Sequence, residues 1–409
     1  MQRYDIILFG ATSFVGEILT RYMQENYPVG GRIKWAIAGR SEGKLSKLKA
    51  SLGDAAANLD IIVANTDDDE SIEALVTSTK VVISTVGPYA LYGEVVVKAC
   101  VAHGTDYCDL TGEPQWIKEM VTRYEDIAKI SGARIVHSCG FDSIPSDLGV
   151  FFLQENAKLQ FDEYCSSIKM RVKSMKGAAS GGTVASMMNM IKEASSDREL
   201  RKLLSDPYAL CPSDHPFTVK QTNLMTPAYD KDMQTWIAPF VMAAINIRII
   251  HRSNSLLGNQ YGNDFLYDEA MMTGKSILGG MGAAAFSAGM GGFMLAAVIP
   301  PSRWLMEKTV LPKPGEGPSQ KQQLEGRYDL RFVGKTKNGQ ELRCKVTGDR
   351  DPGYGSTAKM LGESAMCLLE DISKEDKAGG FWTPASVFGM HIVQRLEKYA
   401  GLSFTLQQE

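Results

Sequence analysis

The sequence is poor in groups that would tie a chain together chemically. Only seven cysteines are spread over 409 residues, at Cys100, Cys108, Cys139, Cys165, Cys211, Cys344 and Cys367, with no C-x-x-C pair. An odd, dispersed set of this kind argues against a disulfide framework and predicts free thiols in a reducing compartment. Five histidines are equally scattered, and no His/Cys spacing predicts a metal site. Basic charge is not in excess: 44 Lys and Arg face 47 Asp and Glu, a formal net charge of −3. The chain therefore lacks the electrostatic footprint of a nucleic-acid-binding protein. No Ser-His-Asp or Cys-His arrangement points to a hydrolase. Repeats and low-complexity tracts are missing too. Met1-Gln2-Arg3-Tyr4-Asp5 leads straight into an apolar run, which predicts no cleavable signal peptide and a cytoplasmic location.

What remains is an ordinary globular composition, 44% hydrophobic and 22% charged, in a chain long enough for two domains. Apolar runs at Tyr4–Phe9 and Ile33–Ala38, and further strand-like stretches at Asp60–Ala64, Val81–Val86, Asp106–Leu110 and Arg134–His137, alternate with helical stretches at Val15–Tyr27, Glu42–Leu52, Asp68–Ser78, Tyr92–His103 and Gln115–Ser131. That alternation predicts βαβ units: an α/β chain whose residues 1–150 form a Rossmann-type doubly wound parallel sheet. The pattern changes after about residue 150. Asp162–Lys173 and Gln234–Arg252 read as long strands, and Leu324–Val333 with Gln340–Thr347 as a hairpin about Asn338-Gly339. Residues 151–350 are therefore expected to form a second, mixed α/β domain. Leu311–Pro318 reads as a surface loop, and helices are expected over Ser356–Ile372 and Pro384–Tyr399.

The loop Gly10-Ala11-Thr12-Ser13-Phe14-Val15-Gly16 lies between the first strand and the first helix, where phosphate loops lie. Gly10 permits the tight turn and Gly16 lets helix and strand approach closely. The helix N-terminus then turns its amides to a pyrophosphate. Taken alone, such a loop is equally a plain βα turn; its place at the head of a βαβ series favours a nucleotide. At the tip of the second strand an NAD site would carry a carboxylate for the ribose hydroxyl. Here stand Arg40, Ser41 and Lys44, suited to the 2′-phosphate of NADP(H). Thr85-Val86-Gly87-Pro88-Tyr89 follows the fourth strand, where ligands of open α/β sheets bind. Asp142 leaves the sixth, as a proton donor or as a helix N-cap. Tyr89 is the second candidate proton donor. Glu113 fits a cap or ion-pair partner better than a base.

One segment stands apart. Ile277–Pro300 carries no charged side chain and is rich in Gly, Ala and Met. Its length meets the threshold for a membrane span of ~20 residues, but glycine and alanine contribute little insertion energy. A buried helix, a homo-oligomer interface or a flap over an apolar substrate is the expectation, with peripheral membrane contact as the alternative.

Several motifs together resemble a known family. Gly10–Gly16, Gly39-Arg40, Val86–Tyr89, Asp109–Glu113, Cys139–Asp147, Asp351–Tyr354 with Thr357–Met360, and Gly380–Ala385 are similar to the saccharopine dehydrogenase-like oxidoreductases. The similarity is greatest to the subgroup of mycobacterial trans-acting enoyl reductases and animal saccharopine dehydrogenase-like oxidoreductases. The resemblance implies NADP(H), an inserted second domain, and a C-terminal helical segment, residues 351–409, that returns to the Rossmann domain. It does not imply saccharopine as substrate. Three readings stay open: reduction of an unsaturated acyl or other lipid-like molecule, dehydrogenation of an amino acid of the saccharopine type, and cofactor binding without turnover. The second would need a cluster of cations for substrate carboxylates; Arg171, Lys173, Arg248 and Arg252 are the candidates.

Overall fold

The computed structural model describes residues 3–177, 181–309 and 317–407. The apolar run at its start is strand β1 (Tyr4–Phe9), buried along nearly its whole length, as a strand covered on both faces requires. There follow α1 (Phe14–Asn26), β2 (Trp35–Gly39), α2 (Glu42–Ser51), β3 (Asp60–Val63), α3 (Asp69–Thr77), β4 (Thr79–Ser84), α4 (Tyr89–Tyr92), α5 (Glu94–His103), β5 (Asp106–Asp109), α6 (Pro114–Ser131) and β6 (Arg134–Val136). Next come α7 (Ile144–Phe161), β7 (Cys165–Lys176), α8 (Gly181–Ser196), α9 (Arg198–Ser205), β8 (Ala228–Asp230), β9 (Thr235–Pro239), α10 (Ala243–Leu256), β10 (Leu266–Gly274), α11 (Ile277–Val298) and α12 (Pro300–Thr309). The chain continues with α13 (Gln320–Glu325), β11 (Arg327–Thr336), β12 (Glu341–Gly348), a π-helical turn at Pro352–Ser356, α14 (Thr357–Glu370), β13 (Gly380–Trp382), α15 (Pro384–Tyr399) and β14 (Leu402–Leu406).

Two seven-stranded sheets result. The first runs β13-β6-β5-β4-β1-β2-β3, and its pairs are parallel throughout. From β6 to β3 this is the strand order of a dinucleotide-binding sheet, which reverses direction between β1 and β4. Register aligns the strand ends. Phe9 pairs with Ala38 and with Ser84, and Ser84 with Asp109. Four loops therefore leave one edge side by side. The second sheet, β14-β12-β11-β7-β10-β9-β8, is mixed: β7 and β10 are parallel, whereas β11 is antiparallel to both β7 and β12. The hairpin expected about Asn338-Gly339 is present, with Gly339 at φ +85°. In β12 burial alternates residue by residue, Leu342, Cys344 and Val346 facing the core. Helix α7, buried along most of its length, lies against β11, β12 and α15.

Two expectations are corrected. Gln234–Arg252 is strand only over Thr235–Pro239, and from Ala243 it is helix α10. The alternation of Ile245, Ile247 and Ile249 reads as a strand, but Ile245 and Ile249 are four residues apart and both buried, a helical face. Ile277–Pro300 is helical as far as Val298 but is not a buried helix: in α11 only Gly279, Ala283 and Ala297 are buried. Ile277 is 82% and Leu278 75% exposed. The helix touches β9 and β10 through a narrow small-residue stripe. A Cβ on Gly279 would lie 2.4 Å from the Gly274 carbonyl oxygen, and one on Gly280 2.9 Å from the Trp236 ring. The surface loop expected at 311–318 falls largely outside the described residues.

α14 and α15 bind α1 through one buried carboxylate. Glu363 Oε1 accepts from the hydroxyls of Tyr22 at 2.7 Å and Tyr27 at 2.8 Å, and its Oε2 accepts from Arg395 Nε at 3.0 Å.

Candidate active site

Gly10, at φ +86°, turns the chain from β1 into the loop, and a Cβ there would lie 2.7 Å from Thr85 Oγ1. Gly16 is packed harder still, since its Cβ would meet the Gly10 carbonyl oxygen at 2.3 Å. The loop therefore has no room for a side chain at either end. Between them Ser13 is the N-cap of α1: its Oγ accepts from Gly16 N at 2.9 Å and donates to Thr85 Oγ1 at 3.0 Å. Thr85 Oγ1 in turn donates to the Gly10 carbonyl at 2.9 Å. The Ser13 hydroxyl proton is thus engaged in holding β4 to the loop. What faces outward is backbone, because the N–H groups of Phe14 and Val15 in the first helical turn have no preceding carbonyl to bond. Thr12 is half-buried in the same loop.

Arg40 is exposed at the end of β2, with Ser41 half-buried and Lys44 exposed beside it. Ser41 holds the N-cap position of α2 without a side-chain cap bond. Among the described residues no carboxylate pairs with Arg40, so both cations are available to an anion.

After β4, Val86 and Pro88 are half-buried and Gly87 is exposed; the Gly87-Pro88 peptide is cis. Tyr89 is buried against the Trp116 ring, and its hydroxyl donates to the Ser84 carbonyl at 3.0 Å. Burial first, then the Asp109 charge, holds this phenol well above its ordinary range. After β5, Glu113 accepts from Tyr89 N at 2.9 Å and Ala90 N at 3.0 Å, and from Ser186 Oγ at 2.7 Å. It is the cap of α4, with a link to α8. After β6, the N-cap of α7 is Ser143 rather than Asp142, so the capping alternative for Asp142 is set aside. The Asp142 carboxyl faces a cavity and packs near Gly112, where a Cβ would stand 3.5 Å from Oδ2. Burial pushes it up to about 7, with the Asp109 carboxylate as the second cause.

That cavity, about 460 Å³, joins what the sequence shows only in pieces. Ser13, Phe14, Val15, Thr85, Gly87, Tyr89 and Asp142 form one end of its wall. Gly10, Thr12, Gly16, Val86 and Pro88 support this end without lining it, and Arg40, Ser41 and Lys44 lie apart at the β2 tip. The rest comes from α8 onward: Met187, Met190 and Ile191 of α8, Leu204 of α9, Met242 and Ile245 at the start of α10, Met294 of α11 and Tyr354, together with Arg248, which the sequence offered as a cation for substrate carboxylates. Tyr354 packs edge-on to Phe14, ring centroids 4.5 Å apart, and its hydroxyl accepts from Gly181 N at 3.0 Å. The one available signal was the run Ser186-Met187-Met188-Asn189-Met190, a methionine-rich helical face.

The four cations considered for substrate carboxylates part company. Arg171 is buried between Asp230 and Asp268, at 2.6 and 2.5 Å. Lys173 faces Asp329 at 3.8 Å. Arg252 donates to the carbonyls of Leu210 and Phe381, each at 2.6 Å, and lies 3.7 Å from Glu125. Arg248 alone lines the cavity.

These residues fit a phosphorylated dinucleotide: a cradle that admits no Cβ at Gly10 or Gly16, open amides at a helix N-terminus, and unpaired cations where an NAD site needs a carboxylate. Comparison with known proteins agrees. Residues 6–136 match the family model of the saccharopine dehydrogenase NADP binding domain, and the cofactor is NADP(H). A relative from Mycobacterium tuberculosis is 37% identical over 411 residues, 98% of this chain and 97% of its own. The trans-acting enoyl reductases of Mycobacterium bovis and Mycobacterium ulcerans are 35% and 34% identical, across 97% of this chain and 96% of theirs. In fold, the chain is similar to saccharopine dehydrogenase (L-Glu forming) from Saccharomyces cerevisiae, with a TM-score of 0.54 at 13% identity, covering 99% of this chain and 100% of that one. Alike from end to end in sequence, the chain belongs to the trans-acting enoyl reductase family, an NADP(H)-dependent oxidoreductase built on a saccharopine dehydrogenase-type cofactor domain.

Proposed function

We propose that the protein reduces a carbon–carbon double bond in an acyl, lipid-like substrate held in the 460 Å³ cavity. The observation that carries this reading is the composition of that single cavity. It runs from the glycine loop and Asp142 to a wall of Met187, Met190, Ile191 and Met294. Methionine-rich surface adapts to a flexible chain, and each buried methylene contributes ~0.8 kcal/mol.

In this reading Gly10, Thr12, Ser13, Phe14, Val15 and Gly16 hold the pyrophosphate through backbone amides. Arg40, Ser41 and Lys44 take the 2′-phosphate. Thr85, Val86, Gly87 and Pro88 flank the reacting end. NADPH, when bound, supplies a hydride to one carbon of the double bond. Asp142 keeps a proton near neutral pH and delivers it to the other carbon. Tyr89 is the weaker candidate for that role, because its hydroxyl already donates to Ser84; its ring closes the wall instead. Residues 1–150 with 351–409 make the cofactor half, and 151–350 the substrate half. The enzyme is cytoplasmic in this reading. The outer face of α11, with Lys275 before it and Lys308 stacked 4.1 Å over Trp304 after it, supports peripheral contact with a lipid surface.

The test supplies NADPH with α,β-unsaturated acyl thioesters of increasing length and, separately, NADP with saccharopine-type amino acids. NADPH oxidation that quickens with chain length is expected. Turnover of the amino acids alone overturns the reading. Tight NADPH binding without any turnover would favour a non-catalytic protein.

A further inference from the structure

Arg248 is 5% exposed and is the one cation in the wall of a largely apolar cavity. Its Nη atoms donate to the carbonyls of Ala244 and Leu204, while its Nε is buried without a partner. No carboxylate among the described residues pairs with it. Asp206 supports the charge from farther off, but its Oδ1 accepts from Tyr208 N at 2.9 Å. A guanidinium is taken from water at a cost that two neutral carbonyls offset only in part. The three other cations first considered for substrate carboxylates each meet a carboxylate within 3.8 Å. Arg248 is the exception, and the exception faces the substrate cavity.

Its place along the cavity is set by α8. Gly181, at the start of that helix, is bonded to Tyr354, which packs on Phe14 of the glycine loop. Ser186, five residues on, is bonded to Glu113. Met187, Met190, Ile191 and Ala194 then line the wall toward Leu204, whose carbonyl holds Arg248. From Gly181 to Ala194 the helix rises ~20 Å. Arg248 thus lies at the end away from the glycine loop, with apolar surface between.

We infer that Arg248 is an anion subsite, and that the substrate is an anionic amphiphile whose carboxylate or phosphate binds there, apart from the glycine loop. The inference rests on the cavity being the substrate site. A carboxylate at the far end of an acyl chain and a phosphate on a carrier arm beyond a thioester share this chemistry. An amino acid needing two or more cations does not, because only one is present in the wall.

The test measures binding by intrinsic fluorescence on the full chain saturated with NADPH. The probes are hexadecanoate, its methyl ester, and hexadecanoyl-coenzyme A, against the unmodified protein and Arg248→Met. A charge-assisted contact predicts that one or both anionic probes bind about tenfold to a hundredfold more tightly than the ester. Arg248→Met should abolish that preference while leaving the ester's affinity within about threefold, and Arg248→Lys should restore part of it. Preference for hexadecanoate identifies a carboxylate, and preference for the thioester alone identifies the carrier phosphate. Equal binding of ester and anions by the unmodified protein overturns the inference, as does failure of all three to bind. That comparison stands even where the methionine variant does not fold. Because no turnover is read, loss of the anion preference without any double-bond reduction leaves Arg248 in place and removes the proposed reaction. Reduction of neutral and anionic enoyl substrates at equal efficiency does the reverse.

Discussion

Replacing Asp142 by asparagine separates its two consequences, one for stability and one for rate. The side chain is raised from 3.8 to about 7 by burial and by the Asp109 charge. A folded-state pKa above the unfolded value means that the native chain holds a proton the unfolded chain has already shed. The associated stability is present below pH ~4, is lost progressively as the pH rises toward ~7, and changes no further above that. Three decades at 1.36 kcal/mol each set a ceiling of about 4 kcal/mol for that loss. Cavity water, reaching a half-buried carboxyl, reduces it. Asparagine cannot ionise, so Asp142→Asn should match the parent at pH ~4 and equal or exceed its stability at pH ~8, within that ceiling. The rate moves the other way. Loss of a general acid should lower kcat/KM by about 10²–10⁴, and the parent's decline in kcat/KM above pH ~7 should vanish from the variant. Chemical denaturation at the two pH values and a pH–rate profile with an enoyl thioester measure both. A variant at least as stable as the parent and fully active would refute the assignment, and so would a parent profile that is flat across neutrality.

Three further outcomes follow from the geometry. Arg40→Asp should weaken NADPH binding about tenfold to a hundredfold and leave NADH little changed, read by fluorescence titration of both cofactors; equal affinities in the parent would contradict the 2′-phosphate role. Gly16→Ala forces a Cβ to within 2.3 Å of the Gly10 carbonyl, so a loss of roughly 1–3 kcal/mol on denaturation, together with NADPH binding, is expected. Leu278→Glu and Leu295→Glu, at positions 75% and 69% exposed, should alter stability by no more than about 0.5 kcal/mol. Both should reduce flotation with anionic phospholipid vesicles. Unchanged flotation, with a dimer in the parent that the substitutions dissociate, would assign the α11 face to a second copy instead.

The parallel sheet was legible because β1, β2 and β4 are largely buried and each reads as a mostly apolar stretch, within a regular alternation of strand-like and helical segments. The cofactor edge was legible for a related reason: Gly10, Gly16 and Arg40 work through backbone geometry and charge that adjacent residues determine. Legibility ended where a residue's role depends on a distant partner. Arg171, Lys173, Arg248 and Arg252 are alike in sequence, and only the fold gives three of them carboxylates. Asp142 was open between cap and acid until the N-cap fell one residue later, on Ser143. α10 misled because isoleucine favours strands while its spacing here serves a helix. α11 was recognised as long and uncharged, but burial belongs to what lies alongside, and glycine and alanine let it rest on β9 and β10 by a thin stripe.

The placement of β13 and β14 bears on synthesis. β13 completes the edge of the first sheet beside β6, and β14 completes the second beside β12, yet both are translated after every other strand. While residues 380–406 are still inside the ribosome, β6 and β12 lack their outer partners, and each is a template for pairing with a neighbouring chain. Folding of the two halves cannot finish one after the other, N-terminal half first. They close together when one short stretch emerges, and a premature stop upstream of it would leave both sheets prone to aggregation rather than one domain intact.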